Sequence, residues 1–119
     1  MRKLFSPSCE ARFLDKGEAL DALRKIAGRL EEKRNVKGVY LFGSLAEGAY
    51  TPKSDADILV VLKADERIPR DRIPEYLSYF LDAPIPVDVF PFTEEEINRN
   101  PFLSRALRKG IDLLKDAKA

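Results

Sequence analysis

The residue pair Gly43-Ser44 closes a short apolar run, and after ten intervening residues Asp55-Ala56-Asp57 opens a second, Asp57-Ile-Leu-Val-Val-Leu62. A third carboxylate, Asp88, lies inside another apolar segment, Pro86-Val-Asp-Val-Phe90. Glycine admits backbone close to a polyphosphate, and serine offers a hydroxyl and an N–H to its oxygens. A helix beginning just after Ser44 would add its free N–H groups. Residues two apart on a strand point the same way, so Asp55 and Asp57 project together where the second run begins. If the strand holding Asp88 pairs beside it, three carboxylates converge. Such acids repel one another and raise their own pKa values unless a divalent cation relieves them. Hard oxygen donors without nitrogen or sulfur select Mg²⁺ or Mn²⁺ over zinc. Two such ions, roughly 3.5–4 Å apart, can clamp the attacking and leaving oxygens of an in-line displacement at phosphorus. The chemistry expected is nucleotidyl transfer from a triphosphate.

Taken singly, each element has a plainer reading. Gly-Ser is ordinarily a turn, Asp-x-Asp before a strand is ordinarily turn chemistry, and Asp88 alone reads as a strand-edge acid facing water. The signal lies in their combination and spacing. A Walker-type phosphate loop is excluded, because Gly43 and Gly48 have its glycine spacing but Ala49-Tyr50 stands where Lys and Ser/Thr are required. The chain has no histidine and one cysteine, which excludes Ser-His-Asp triads, Cys-His dyads and the usual zinc sites. Cys9 reads as a lone reduced thiol.

The 21 basic and 20 acidic residues nearly cancel, with no long block of one sign, so no direct nucleic-acid binding is expected. The basic cluster from Arg24 to Lys37 is interrupted by Glu31 and Glu32 and reads as a solvated helix face. Ser6-Pro-Ser-Cys-Glu10 interrupts any signal-peptide core, and no apolar run approaches the roughly 18 residues of a membrane span, so the expectation is a cytoplasmic protein without a membrane partner. The 119 residues suit a single domain, residues 1–119, with a core too small for a deep cleft unless a partner supplies the second wall.

The elements that must position these residues follow from periodicity. Residues 16–33 place Leu20, Leu23, Ile26, Ala27 and Leu30 at helical spacing, with a candidate capping box from Asp15 to Glu18. Val36–Phe42 reads as a strand stopped by Gly43. Residues 43–54 read as a loop with one helical turn near Leu45–Gly48, and Asp57–Leu62 as a central strand that needs helices on both faces. Residues 70–82 predict a helix with Pro74 in its first turn, followed by a third strand over Ile85–Phe90. Thr93 and Glu96 predict a capping box with Phe92 stapled on Ile97. Asn100-Pro101 opens a last helix running through Leu103, Ala106, Leu107, Ile111 and Leu114, weakened at Gly110. The fold class expected is α/β, a small mixed sheet flanked by helices.

At these residues the chain resembles the DNA polymerase β-like nucleotidyltransferase superfamily, and most closely its small stand-alone members, the minimal nucleotidyltransferases or MntA-like antitoxins. The likeness runs from about residue 20 to 100, through Leu41-Phe-Gly-Ser44, Ser54-Asp-Ala-Asp-Ile-Leu-Val60 and Val87-Asp-Val-Phe90. The resemblance implies Asp55, Asp57 and Asp88 as a catalytic triad holding two Mg²⁺ ions, and Gly43 and Ser44 as contacts to the β- and γ-phosphates of ATP. It further implies a HEPN-domain toxin as partner, an RNase silenced by transfer of AMP to a protein hydroxyl.

The chain departs from the frequent Gly-Ser-Arg-Ala-Arg-Gly pattern by reading Gly43-Ser-Leu-Ala-Glu-Gly48. Leu45 and Glu47 replace cations, which lowers the expected nucleotide affinity or moves the neutralisation of the triphosphate onto Lys53 and the metals. Two other readings stay open: a non-catalytic antitoxin that occludes its partner through an apolar face carrying Tyr76 and Phe80 or on the last helix, and a small-molecule transferase acting on an aminoglycoside-type hydroxyl. Self-association is left open as well.

Overall fold

Ala19, Leu23, Ile26, Ala27 and Leu30 recur at three- and four-residue intervals and are all buried, so the stripe read from the sequence is the inner face of a helix. The computed structural model describes residues 16–43, Ala46 and residues 55–115. Within them, helix α1 (Lys16–Glu31) precedes strand β1 (Val36–Phe42), and β2 (Ala56–Leu62) leads through α2 (Pro69–Leu77) to β3 (Val87–Thr93). Helices α3 (Glu94–Arg99) and α4 (Pro101–Lys109) follow, and then the two-residue strand β4 (Ile111–Asp112). Asp15, half of the expected α1 capping box, and Cys9 lie outside the described residues, as does the turn expected near Leu45–Gly48 except for Ala46.

The four strands form one mixed sheet in the order β3-β2-β1-β4. β1 runs antiparallel to both β2 and β4, and β2 runs parallel to β3. A parallel pair needs a crossover connection, which α2 supplies. The apolar run of β2 is covered on both faces, as its composition requires. Ile58, Val60 and Leu62 join the core under α1 and α2, while Leu59 and Val61 join a second core with Ile97 of α3 and Leu103 and Ala106 of α4. Truncating such a buried side chain to alanine costs about 2–5 kcal/mol. The fold is α/β with helices flanking a mixed sheet.

Four local expectations are corrected by the structure. Helix α2 begins at Pro69, so Pro69 takes the first position and Pro74 lies inside the helix. The third strand sits two to three residues later than expected, because its register with β2 runs from Ala56↔Val87 to Leu62↔Thr93. Pro91 is tolerated there because β3 is an edge strand. The last helix stops at Lys109, and Ile111 and Asp112 instead pair with Leu41 and Tyr40. A Cβ on Gly110 would stand 2.8 Å from the Ala106 carbonyl oxygen and 2.9 Å from that of Leu41, so glycine lets the chain turn from helix to sheet edge here. Finally, Tyr76 and Phe80 are buried in the core under α1 rather than offering an apolar docking face; among the described residues, the exposed large apolar side chains are Ile68, Leu81 and Phe102.

The caps expected for α3 and α4 are present. Thr93 Oγ1 accepts from the Glu96 N–H at 3.2 Å while the Glu96 carboxylate accepts from the Thr93 N–H at 2.8 Å. Asn100 Oδ1 accepts from the N–H groups of Phe102 and Leu103 at 2.9 and 3.3 Å. The capping box fixes where β3 ends and α3 begins, and the Asn100 cap sets the start of α4 over the sheet.

Candidate active site

β1 is antiparallel to β2, so the last residues of β1 lie beside the first residues of β2. Phe42 pairs with Asp57, and on the other side of β2 Asp57 pairs with Asp88 in the parallel register. Alternation places Asp57 on the same face as Leu59 and Val61, the face covered by α3 and α4. Asp55 stands one residue before β2, near enough for its charge to act on Asp57. Asp57 is half-buried, whereas Asp55 and Asp88 are exposed.

Gly43 follows directly after β1 with φ +81, a conformation that L side chains rarely adopt. Space forbids a side chain there as firmly as φ does, because a Cβ on Gly43 would overlap Asp57 Oδ2. Backbone and carboxylate thus come as close as glycine alone permits. Ser44 and Lys53 lie outside the described residues.

Burial pushes the Asp57 carboxyl above the ordinary aspartate value, and the negative charges of Asp88 and then Asp55 push it further. The three carboxylates therefore share one electrostatic neighbourhood. Among the described residues, no group of three or more His, Cys, Asp or Glu side chains is closed into a metal-holding arrangement. The donors fit a hard divalent cation in type, and their mutual repulsion is what such a cation removes.

Sequence reasoning did not foresee the wall opposite Asp57. A cavity of about 410 Å³ is lined by Phe42, Gly43 and Asp57 on the sheet side and by Phe102, Arg105 and Lys109 of α4 on the other. Their helical spacing was visible in the sequence. What was missing was any sign that α4 lies over Gly43.

Residues 23–113 match the family model described as a nucleotidyltransferase domain. The chain belongs to that family. Two Methanocaldococcus jannaschii proteins, each named as a candidate protein adenylyltransferase, are similar to this nucleotidyltransferase. One is 30% identical over 94 residues, covering 79% of this chain and 92% of that protein. The other is 41% identical over 63 residues, 53% of this chain, and there the match spans only 56% of the relative.

Among solved structures, a candidate nucleotidyltransferase from Sulfolobus solfataricus superimposes with a TM-score of 0.64 at 24% identity, over 98% of this chain and 94% of that one. A toxin–antitoxin structure with AMP-PNP superimposes with a TM-score of 0.50 at 20% identity, over 83% of this chain and 75% of that one. At these identities the likeness is one of fold. No helix among the described residues is long and apolar enough to cross a membrane.

Proposed function

We propose that this nucleotidyltransferase moves the adenylyl group of ATP onto a hydroxyl of a partner protein, and that the partner is a toxin of the HEPN class which the modification silences. The observation that carries the reading is the register of Asp57 with Asp88 beside Gly43: two acids at the starts of adjacent parallel strands, next to a glycine whose backbone can approach a polyphosphate. The names of the two archaeal relatives support a protein acceptor. The toxin–antitoxin neighbour with AMP-PNP supports an adenine nucleotide and a toxin partner.

In this reading the acceptor oxygen forms a bond to the α-phosphorus, the bond from that phosphorus to the α,β-bridging oxygen breaks, pyrophosphate leaves and the hydroxyl proton is released. Asp55, Asp57 and Asp88 would hold Mg²⁺, which when bound neutralises charge on the phosphates and lowers the barrier to in-line displacement. The chain's own contribution is placement. Gly43 and Ser44 admit and hold the β- and γ-phosphates, and Lys53 adds a cation to them. Asp57, the half-buried member of the triad, is held at one position by its neighbours on β1 and β3.

The test is intact-mass measurement of the protein and the product of its adjacent gene after incubation with ATP and Mg²⁺, beside an Asp57→Asn control. A gain of one or more AMP units on the partner, absent in the control, is the expected result. A partner that is neutralised equally by wild type and Asp57→Asn, with no added mass, overturns transfer in favour of occlusion by complex formation.

A further inference from the structure

The cavity beside Gly43 and Asp57 has two walls of opposite character, an acid on the sheet side and two cations on α4. Arg105 and Lys109 are exposed, and neither forms an ion pair with a described residue, although Asp57 lines the same cavity. Helix packing does not need them, since Leu103 and Ala106 supply the buried contacts of α4. Phe102 is unusual in the other direction. It is an aromatic side chain 65% exposed to solvent at the rim of the cavity, held edge-on against Phe42 with ring centroids 6.4 Å apart and planes at 80°. Phe102, Arg105 and Lys109 fall on one stripe, so the helix presents a flat apolar ring at its first turn and two cations further along.

A ligand that satisfies both walls must carry negative charge for the cations and an aromatic or apolar surface for Phe102. We propose that α4 forms the nucleotide wall of the site, with the base lying against Phe102 and the polyphosphate met by Arg105 and Lys109 while Gly43 admits it from the sheet side. The assignment rests on the proposed nucleotidyl transfer and deepens it. It also accounts for Leu45 and Glu47, where the loop lacks cations: the compensating charge comes from a helix more than fifty residues further along the chain. A cavity of about 410 Å³ is within the usual range for small-molecule sites.

Binding is measured with the full chain, Mg²⁺ and no partner protein, using ATP and inorganic tripolyphosphate as separate probes. Arg105→Ala and Lys109→Ala are each expected to weaken both probes roughly tenfold, the size of one lost charge-assisted hydrogen bond. Phe102→Ala is expected to weaken ATP and leave tripolyphosphate unchanged. Arg108→Ala, on the same helix turn but outside the cavity lining, should bind both like wild type. Thermal unfolding of each variant verifies that these exposed substitutions leave the fold intact. If ATP binds wild type and the three cavity variants alike, the α4 assignment is overturned and the proposed transfer stands. If wild type binds neither probe, the proposed transfer falls, and this inference with it.

Discussion

Gly43 and Asp57 compete for one small volume: a Cβ on the glycine would overlap the Oδ2 of the aspartate. Gly43→Ala therefore meets two penalties. The positive φ of +81 costs an L residue about 1–2 kcal/mol, and the Asp57 carboxylate must move away from its place beside Asp88. The expected outcome is a lower thermal midpoint together with loss of adenylyl transfer well beyond what the stability change explains, read from unfolding curves and intact-mass assays on the same preparation.

The Asp57 carboxyl is pushed up by burial, then by Asp88 and Asp55, so folding without a cation strains its ionised form. A carboxyl whose folded pKa is raised contributes stability below its ordinary value of 3.8 and loses it as the pH rises through the higher folded value. Asp57→Asn should accordingly stabilise the protein at neutral pH in the presence of a chelator, by roughly 1–3 °C in thermal midpoint, with the advantage shrinking under acid conditions. A variant less stable than wild type at neutral pH would contradict the electrostatic account. Adding Mg²⁺ should stabilise the wild type and leave Asp57→Asn much less affected.

Arg72 is a charged side chain only 1% exposed, and the structure spends it as a clamp. Its guanidinium donates to the Glu96 carboxylate at 2.7 and 3.0 Å, to the Pro91 carbonyl at 3.1 Å and to the Asp65 carbonyl at 3.0 Å. Those bonds tie α2 to β3 and to Glu96, the capping-box partner in the first turn of α3. Removing one partner leaves a carboxylate and several carbonyls uncompensated, so Arg72→Ala should cost about 3–5 kcal/mol in urea unfolding. Arg72→Lys should recover only part of that loss, because an ammonium cannot reproduce the planar fork.

Asp65 governs the acid side of the stability curve. Side-chain hydrogen bonds from Arg67, at 3.0 and 2.7 Å, hold its carboxyl down to about 2. Arg72 and Lys33 likewise lower Glu96 and Glu75 through side-chain hydrogen bonds. A depressed carboxyl stabilises the fold above its unfolded value and loses that contribution as pH falls, here from the ordinary 3.8 down through about 2. Asp65→Asn should cost on the order of 1 kcal/mol at neutral pH, allowing for solvent screening, and should flatten the acid limb. Denaturant midpoints measured across that range would show it.

What the amino-acid sequence determined by itself is what short-range chemistry decides. The α1 stripe, the Thr93–Glu96 capping box and the Asn100-Pro101 helix start depend on contacts three or four residues apart, so their residues carry the answer locally. The same holds for the candidacy of Gly43, Asp55, Asp57 and Asp88, whose types and spacing already suggest a phosphate and cation site.

Tertiary structure decided the rest, because it depends on which segments meet. The pairing of Asp57 with Asp88 requires the α2 crossover to bring β3 parallel to β2, and nothing within either strand specifies that register. Ile111 and Asp112 continue a helical pattern on paper, yet the open edge of β1 offers their backbone a ladder that Gly110 lets them reach. Arg72 is buried because two nearby carbonyls, Asp65 and Arg67, and two groups from further along the chain, the Pro91 carbonyl and the Glu96 carboxylate, meet around its guanidinium. Arg105 and Lys109 are ordinary helix cations in one dimension. Only the burial of Leu103 and Ala106 against β1 and β2 turns them toward Gly43 and Asp57, because apolar area fixes a helix face and the charged residues beside it are carried along.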